Sequence, residues 1–296
     1  MSTSKAKMNR FLIGRSLEPS PLVLRLWGFL LIWFLSLLLF RVPLTSVISL
    51  ALRDERYSYV LLVPFITLWM IWENRDHTFL APRYRPGIGI PILVSGILSA
   101  NLSQNLFVSI SAIVLVWIAV FILLFGLSSF QHIIFPLIFL FLIAPLPFSL
   151  MDKAVIALQK GSADVAFTLF KAAGVPVFRD GFQFSLPGIV IEIAEECSGI
   201  RSSTSLLISS FLAGHLFLRS NWRKAWLILL TIPIVIFKNA VRIVTLSLLA
   251  AYVDRGFLFG NLHKHGGLPF SLIALSLMAL VLLALRKTER NSKTLS

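Results

Sequence analysis

The chain has 296 residues, of which 57% are hydrophobic and 14% charged, against about 25% charged residues in an average soluble domain. That composition excludes an ordinary soluble globular fold. The formal charge of +14 does not argue for nucleic acid, because the basic residues lie between apolar runs instead of forming a patch or stripe.

Lys5, Lys7, Arg10 and Arg15 make a basic N-terminus over residues 1–21. The apolar stretch that follows, 22–40, is too long for a signal core and lacks a small-residue cleavage site, so it is expected to be a retained first span. Further apolar stretches at 57–72, 87–103, 106–127 and 131–149 approach the roughly 20 residues a helix needs to cross the hydrocarbon core. In lipid the backbone must satisfy its own hydrogen bonds, and no ten-residue alternation of a barrel is present, so these runs are expected to be helices.

The rhythm breaks over 150–198. Met151 to Ala173 mixes apolar residues with Asp152, Lys153, Gln159, Lys160, Asp164 and Lys171, the composition of one or two amphipathic helices lying along a membrane surface. Val177 to Phe184 surrounds the Asp180-Gly181 pair with apolar residues, a hairpin signal. Ile189 to Ala194 reads as another strand and delivers the chain to Cys197. Spans at 199–218, 225–251 and 267–285 follow, with a basic tail over 286–296.

The expected fold is therefore an all-α polytopic membrane protein of about eight transmembrane helices. Five lie in 22–149 and three in 199–285, with an extracytoplasmic amphipathic-helix and β-hairpin insertion between them. With the N-terminus inside, 15 Lys and Arg fall on the inner side and nine on the outer, and Arg201, Lys238 and Arg242 lie within spans. Cytoplasmic loops carry the excess. Both termini are thus expected in the cytoplasm of a prokaryotic inner membrane, with 150–198 outside.

Cys197 is the only cysteine, so no intramolecular disulfide can form. Its surroundings, Glu195-Glu196-Cys197-Ser198-Gly199-Ile200-Arg201, gather polar and small residues where a lipid-facing span would start with aliphatics. If Ser198 or Gly199 begins the sixth span, Cys197 sits near a helix N-terminus, where the dipole and free N–H groups favour thiolate over thiol. Arg201 would lie one turn below it, either on its face or paired with a local glutamate. Asn239 and Arg242, three apart within the seventh span, share a helix face. Arg242 lies roughly 13 Å below the outer boundary at about 1.5 Å per residue. A charge at that depth is costly and normally faces a partner or a cavity, so this arginine either fixes packing or binds an anion. His263 and His265 occupy the last outer loop and both qualify as an acid or base. With His215 on the inner side and one cysteine, no zinc set is expected, and no cofactor.

These residues resemble the exosortase/archaeosortase family of membrane-embedded cysteine transpeptidases. The match runs through Glu196-Cys197-Ser198-Gly199-Ile200-Arg201, then Asn239-x-x-Arg242, then His263-x-x-x-Gly267 with Phe270 three residues on. It extends to Tyr57-Ser58, with Tyr59 standing where the family often has histidine. The resemblance implies Cys197 as nucleophile, Arg242 as electrostatic partner and His263, preferred to His265 by the glycine four residues on, as acid/base. Asn239, Arg201, Ser198, Gly199 and Gly267 would support them. It further implies an exported protein substrate with a C-terminal sorting signal: a Pro-Glu-Pro-like motif, an apolar helix and a basic tail. The acyl group would pass to an amine, a lipid or glycan headgroup, or water. The competing classes are a non-enzymatic transporter and a scaffold for exopolysaccharide assembly. Neither is favoured by paired halves or broken-helix repeats.

Overall fold

The computed structural model describes residues 21–75, 86–193, 200–254, 256 and 267–294. Its helices, in order, are α1 (Pro21–Leu39), α2 (Arg41–Arg53), a 3-10 turn (Glu55–Leu61), α3 (Val63–Glu73), α4 (Pro86–Leu102), α5 (Leu106–His132), α6 (Ile134–Phe139) and a second 3-10 turn (Leu140–Ile143). Then come α7 (Phe148–Ala172), strands β1 (Phe178–Asp180), β2 (Gln183–Leu186) and β3 (Ile189–Glu192), and helices α8 (Ile200–Phe217), α9 (Asn221–Tyr252) and α10 (Gly267–Thr294). The chain divides into two compact units, one of residues 1–53 with 60–145 and one of 54–59 with 146–296.

Among the described residues, four helical stretches are long and apolar enough to cross a membrane: Leu22–Leu39, Leu106–His132, Asn221–Tyr252 and Pro269–Asn291. A fifth is reached when Ile134–Ile143 and Phe148–Ala172 count as one broken span. The molecule is an all-α membrane protein with a small sheet, but this is not the eight-span count expected from the apolar runs. Local chemistry accounts for the difference. The 57–72 run divides at Leu62, with Pro64 starting an 11-residue helix, and the 131–149 run is broken before Pro145 and Pro147, residues that disfavour helix in what precedes them. α4 reaches 17 residues around Pro91. α8 has 18 residues but carries Arg201 and serines at 202, 203, 205, 209 and 210. Residues 41–53, which lie between the first two expected spans, are helical.

In the first unit, α5 is started by Asn105, whose side chain accepts from Phe107 N at 3.0 Å and Val108 N at 3.4 Å, satisfying N–H groups that the first turn leaves open. α4 lies close against α5 because Gly96 presents no side chain. A Cβ there would meet Val116 Cγ2 at 2.9 Å, the small-residue contact that lets membrane helices approach. On α1, Leu24, Trp27, Leu31, Phe34 and Leu38 are all exposed, as expected of a helix solvated by lipid.

The second unit carries the elements that matter for chemistry. The Asp-Gly hairpin forms as the sequence indicates, with Gly181 at φ +57°, a conformation that favours glycine. β2 lies between β1 and β3, antiparallel to both, pairing Arg179 with Phe184 and Phe184 with Ile191. The polar and apolar stretch that starts at Met151 lies in one 25-residue helix, α7, and one face of it is buried. Ala163, Ala166 and Phe170 of α7 pack with Phe184, Leu186 and Ile193 of the sheet region and with Ala240 and Ile243 of α9. The small alanines let α7 approach α9, and the Phe170 and Phe184 rings meet at 5.8 Å between centroids. A second cluster joins Leu206 of α8, Leu227 and Val235 of α9, and Ala274 and Met278 of α10. Where α9 begins, Glu289 of α10 accepts from the backbone N–H groups of Arg219, at 3.1 Å, and Ser220, at 2.7 Å. A carboxylate there stabilises the positive end of the helix dipole.

Candidate active site

Cys197, Ser198, Gly199, Glu195, Glu196, His263 and His265 lie outside the described residues, and Gly267 opens α10. What the structure describes is the wall formed by helices α7, α8 and α9.

That wall is centred on α9. Lys238 and Asn239 are 3% and 0% exposed, and Arg242, one turn further along, is half-buried. Asn239 Nδ2 donates to Ser162 Oγ of α7 at 3.1 Å. Lys238 Nζ donates to Ser202 Oγ in the first turn of α8 at 2.5 Å. Thus three successive helices of the unit are tied by polar contacts within one turn of α9. Hydrogen bonds to charged groups contribute roughly 1.5–3 kcal/mol, about the cost of 2.5–3.5 kcal/mol for placing a lysine or arginine in a membrane helix. With two cations within five residues, the run gives little or no net stability.

The strand that leads to Cys197 is held from the same side. Gln159, 5% exposed on α7, donates its Nε2 to the carbonyl oxygen of Ile193, the last described residue before the cysteine segment. Gln159 and Ser162 are three apart on α7, so one helical face grips both the exit of β3 and Asn239. Gln159→Met fills the same space without the donor and leaves a buried carbonyl unsatisfied. The expected loss is about 1–3 kcal/mol, seen as a lowered Tm of the detergent-solubilised protein.

Arg201 lies in the first turn of α8, and its position relative to Cys197 falls outside the described residues. Its guanidinium pairs with Glu55 Oε2 at 3.0 Å, and the two side chains are 65% and 76% exposed. Such a pair contributes at most about 1 kcal/mol. This partner comes from the 3-10 turn. That turn is anchored further by Arg56, which contacts Asp54 at 2.8 Å and Asp152 of α7 at 3.1 Å, and by Tyr57, fully buried, whose hydroxyl donates to Leu146 O at 2.9 Å. Hydrogen bonding from Arg56 holds the Asp54 carboxyl below its ordinary value of 3.8. A depressed carboxylate stabilises the fold above that value and loses its contribution as pH falls through the folded one. Asp54→Asn is therefore expected to flatten the acid limb of a Tm-versus-pH curve below about pH 4, by less than about 1 kcal/mol.

Lys238 stands in the sequence only as a charge within a span, and Gln159 and Ser162 only as polar residues of an amphipathic helix. Residues 159, 162, 163 and 166 form one small and polar stripe at helical period, to which a hydrophobicity pattern gives little weight. Among the described residues no group of three His, Cys, Asp or Glu side chains is arranged to hold a metal ion. A groove of about 390 Å³ in the first unit, lined by residues such as Leu35, Leu39, Ile97 and Val120, is apolar and offers no reactive group.

No curated protein and no solved structure gives a significant match to the chain. The family model described as transmembrane exosortase matches residues 50–281, a region that takes in the 3-10 turn, the α7 bracket and the Lys238 to Arg242 run together. The chain belongs to the transmembrane exosortase family.

Proposed function

We propose that this protein is a cysteine-dependent membrane transpeptidase or protease that cleaves the C-terminal sorting signal of exported proteins. The observation that carries the reading is the buried run Lys238-Asn239 with half-buried Arg242 on α9, in a chain of the exosortase family. The site faces outward and both termini are cytoplasmic, the orientation the Lys and Arg excess favours. Residues 150–198 form the extracytoplasmic insertion and 199–285 carry the site.

The substrate's apolar helix docks among the spans and brings the scissile peptide to the outer boundary. The Cys197 thiolate adds to its carbonyl carbon, and the carbonyl electrons move onto oxygen. Arg242, oriented beside Asn239, stabilises that oxyanion. As the oxyanion collapses, the C–N bond breaks, and His263 protonates the departing amine, which leaves with the apolar tail. The thioester is then attacked by an acceptor: an amine, a lipid or glycan headgroup, or water. The acceptor's proton returns to His263, and the cysteine leaves as thiolate. Asn239 reaches Arg242's neighbourhood from a fixed position, because Ser162 accepts its amide hydrogen.

The test is a reporter exported by a prokaryotic host, ending in a Pro-Glu-Pro motif, an apolar helix of about 20 residues and a basic tail. Co-expression of the chain is expected to yield a shortened reporter whose mass places the cut at the motif. A reporter that stays full length beside correctly inserted protein would sink the reading.

A further inference from the structure

The reaction above uses Arg242, yet the most deeply buried cation of the run is Lys238. It is 3% exposed, and among the described residues no carboxylate forms an ion pair with it. An ammonium at such a position is a source of positive potential, strong because the surroundings are apolar. Its location is set by Ser202. An ammonium has hydrogens to donate and no lone pair to accept with, so Ser202 Oγ must be the acceptor of the 2.5 Å contact. That contact ties α9 to the first turn of α8, the helix whose beginning adjoins Cys197 in the chain. Neighbouring hydroxyls of α8 behave otherwise. Thr204, Ser205 and Ser209 donate back to the carbonyls of Ile200, Arg201 and Ser205, whereas Ser202 receives a charge from another helix. Lys238 and Arg242 are four apart, which aligns them on one stripe about 6 Å apart along the axis.

We infer that Lys238 is a positioning residue for the acyl transfer: a second cation beside Arg242 that, held by Ser202, fixes the start of α8 against α9 and favours the negative charge that develops there. This rests on the proposed function and extends it to a residue that packing alone would not retain. The effect belongs to the transition state, where the negative charge is largest, so it is expected in kcat and not in KM.

The experiment uses the full chain in detergent micelles and a fluorescent peptide bearing the Pro-Glu-Pro motif, an apolar helix and a basic end. Lys238→Met removes the charge at nearly constant volume. It is expected to lower kcat at least tenfold with KM unchanged and Tm equal or higher, and Lys238→Arg is expected to restore kcat to within about threefold of the parent. Loss in both variants, or in neither, overturns the inference. Should Lys238→Met fail to fold, Ser202→Ala keeps the test open: it is expected to lower kcat severalfold and to have no further effect in the Lys238→Gln background, whereas no effect, or a fully additive one, overturns the inference. Cys197→Ala, run alongside, separates the two levels. Product from that variant defeats the acyl-transfer reading itself. An inactive Cys197→Ala beside a fully active Lys238→Met defeats only the role of the lysine.

Discussion

Replacing Cys197 by alanine is expected to lower cleavage of the sorting signal by about a thousandfold or more, with the protein inserted at its normal level. The size follows from the role. Without a nucleophile there is no acyl-enzyme, and what remains is binding and electrostatic assistance to attack by water, which in other acyl-transfer enzymes is a small residue of the whole effect. A transporter that carries this cysteine as packing would keep most of its flux, and a scaffold would keep its assembly. The check is the amount of shortened reporter per unit of membrane-inserted chain, read by quantitative immunoblot.

Arg242 is expected to show the second largest effect, and the accompanying change in stability tells why the residue is there. Arg242→Met removes a charge that costs roughly 2.5–3.5 kcal/mol to place in a membrane helix. If the arginine serves the reaction, kcat falls by about 10²–10³-fold, the range seen when an oxyanion donor is removed, while Tm holds or rises, as when a functional site is traded for stability. Arg242→Lys keeps the charge but loses the planar fork, and its activity is expected to lie much nearer to that of Met than to the parent. A fall in Tm of several degrees with kcat intact would make Arg242 a packing residue.

These expectations rest on residues that were readable before any coordinates. Apolar run lengths marked a helical membrane protein, and the Asp180-Gly181 pair marked the hairpin that forms between β1 and β2. The number of spans was less legible, because run length does not reveal where prolines and serines interrupt a helix. The breaks at Leu62 and Pro145 turn apparent crossings into short or broken segments, and the serines and Arg201 make α8 too polar to count among the apolar spans. The buried face of α7 was also hard to read. Lys153, Lys160 and Lys171 are visible as a polar side, but the opposite stripe at Gln159, Ser162, Ala163 and Ala166 is made of small and polar residues, and a hydrophobicity pattern gives such residues little weight. Only the partners disclose it: Asn239 on one helix and the Ile193 carbonyl on the strand. The same holds for Lys238, a lone charge in sequence and a link between two helices in the fold. Asn239 and Arg242 were legible from their spacing because polar residues deep in an apolar run are rare and expensive.

The central claim is that the bond to the substrate passes through the sulfur of Cys197. The most direct measurement is the intact mass of the full chain mixed with the sorting-signal peptide, quenched in acid during the first turnover and then mapped by proteolysis. The account predicts an adduct with the mass of the N-terminal acyl fragment on the peptide containing Cys197, released by hydroxylamine. Product formed at full rate while Cys197 remains unmodified, or an adduct mapped to another residue, would contradict it.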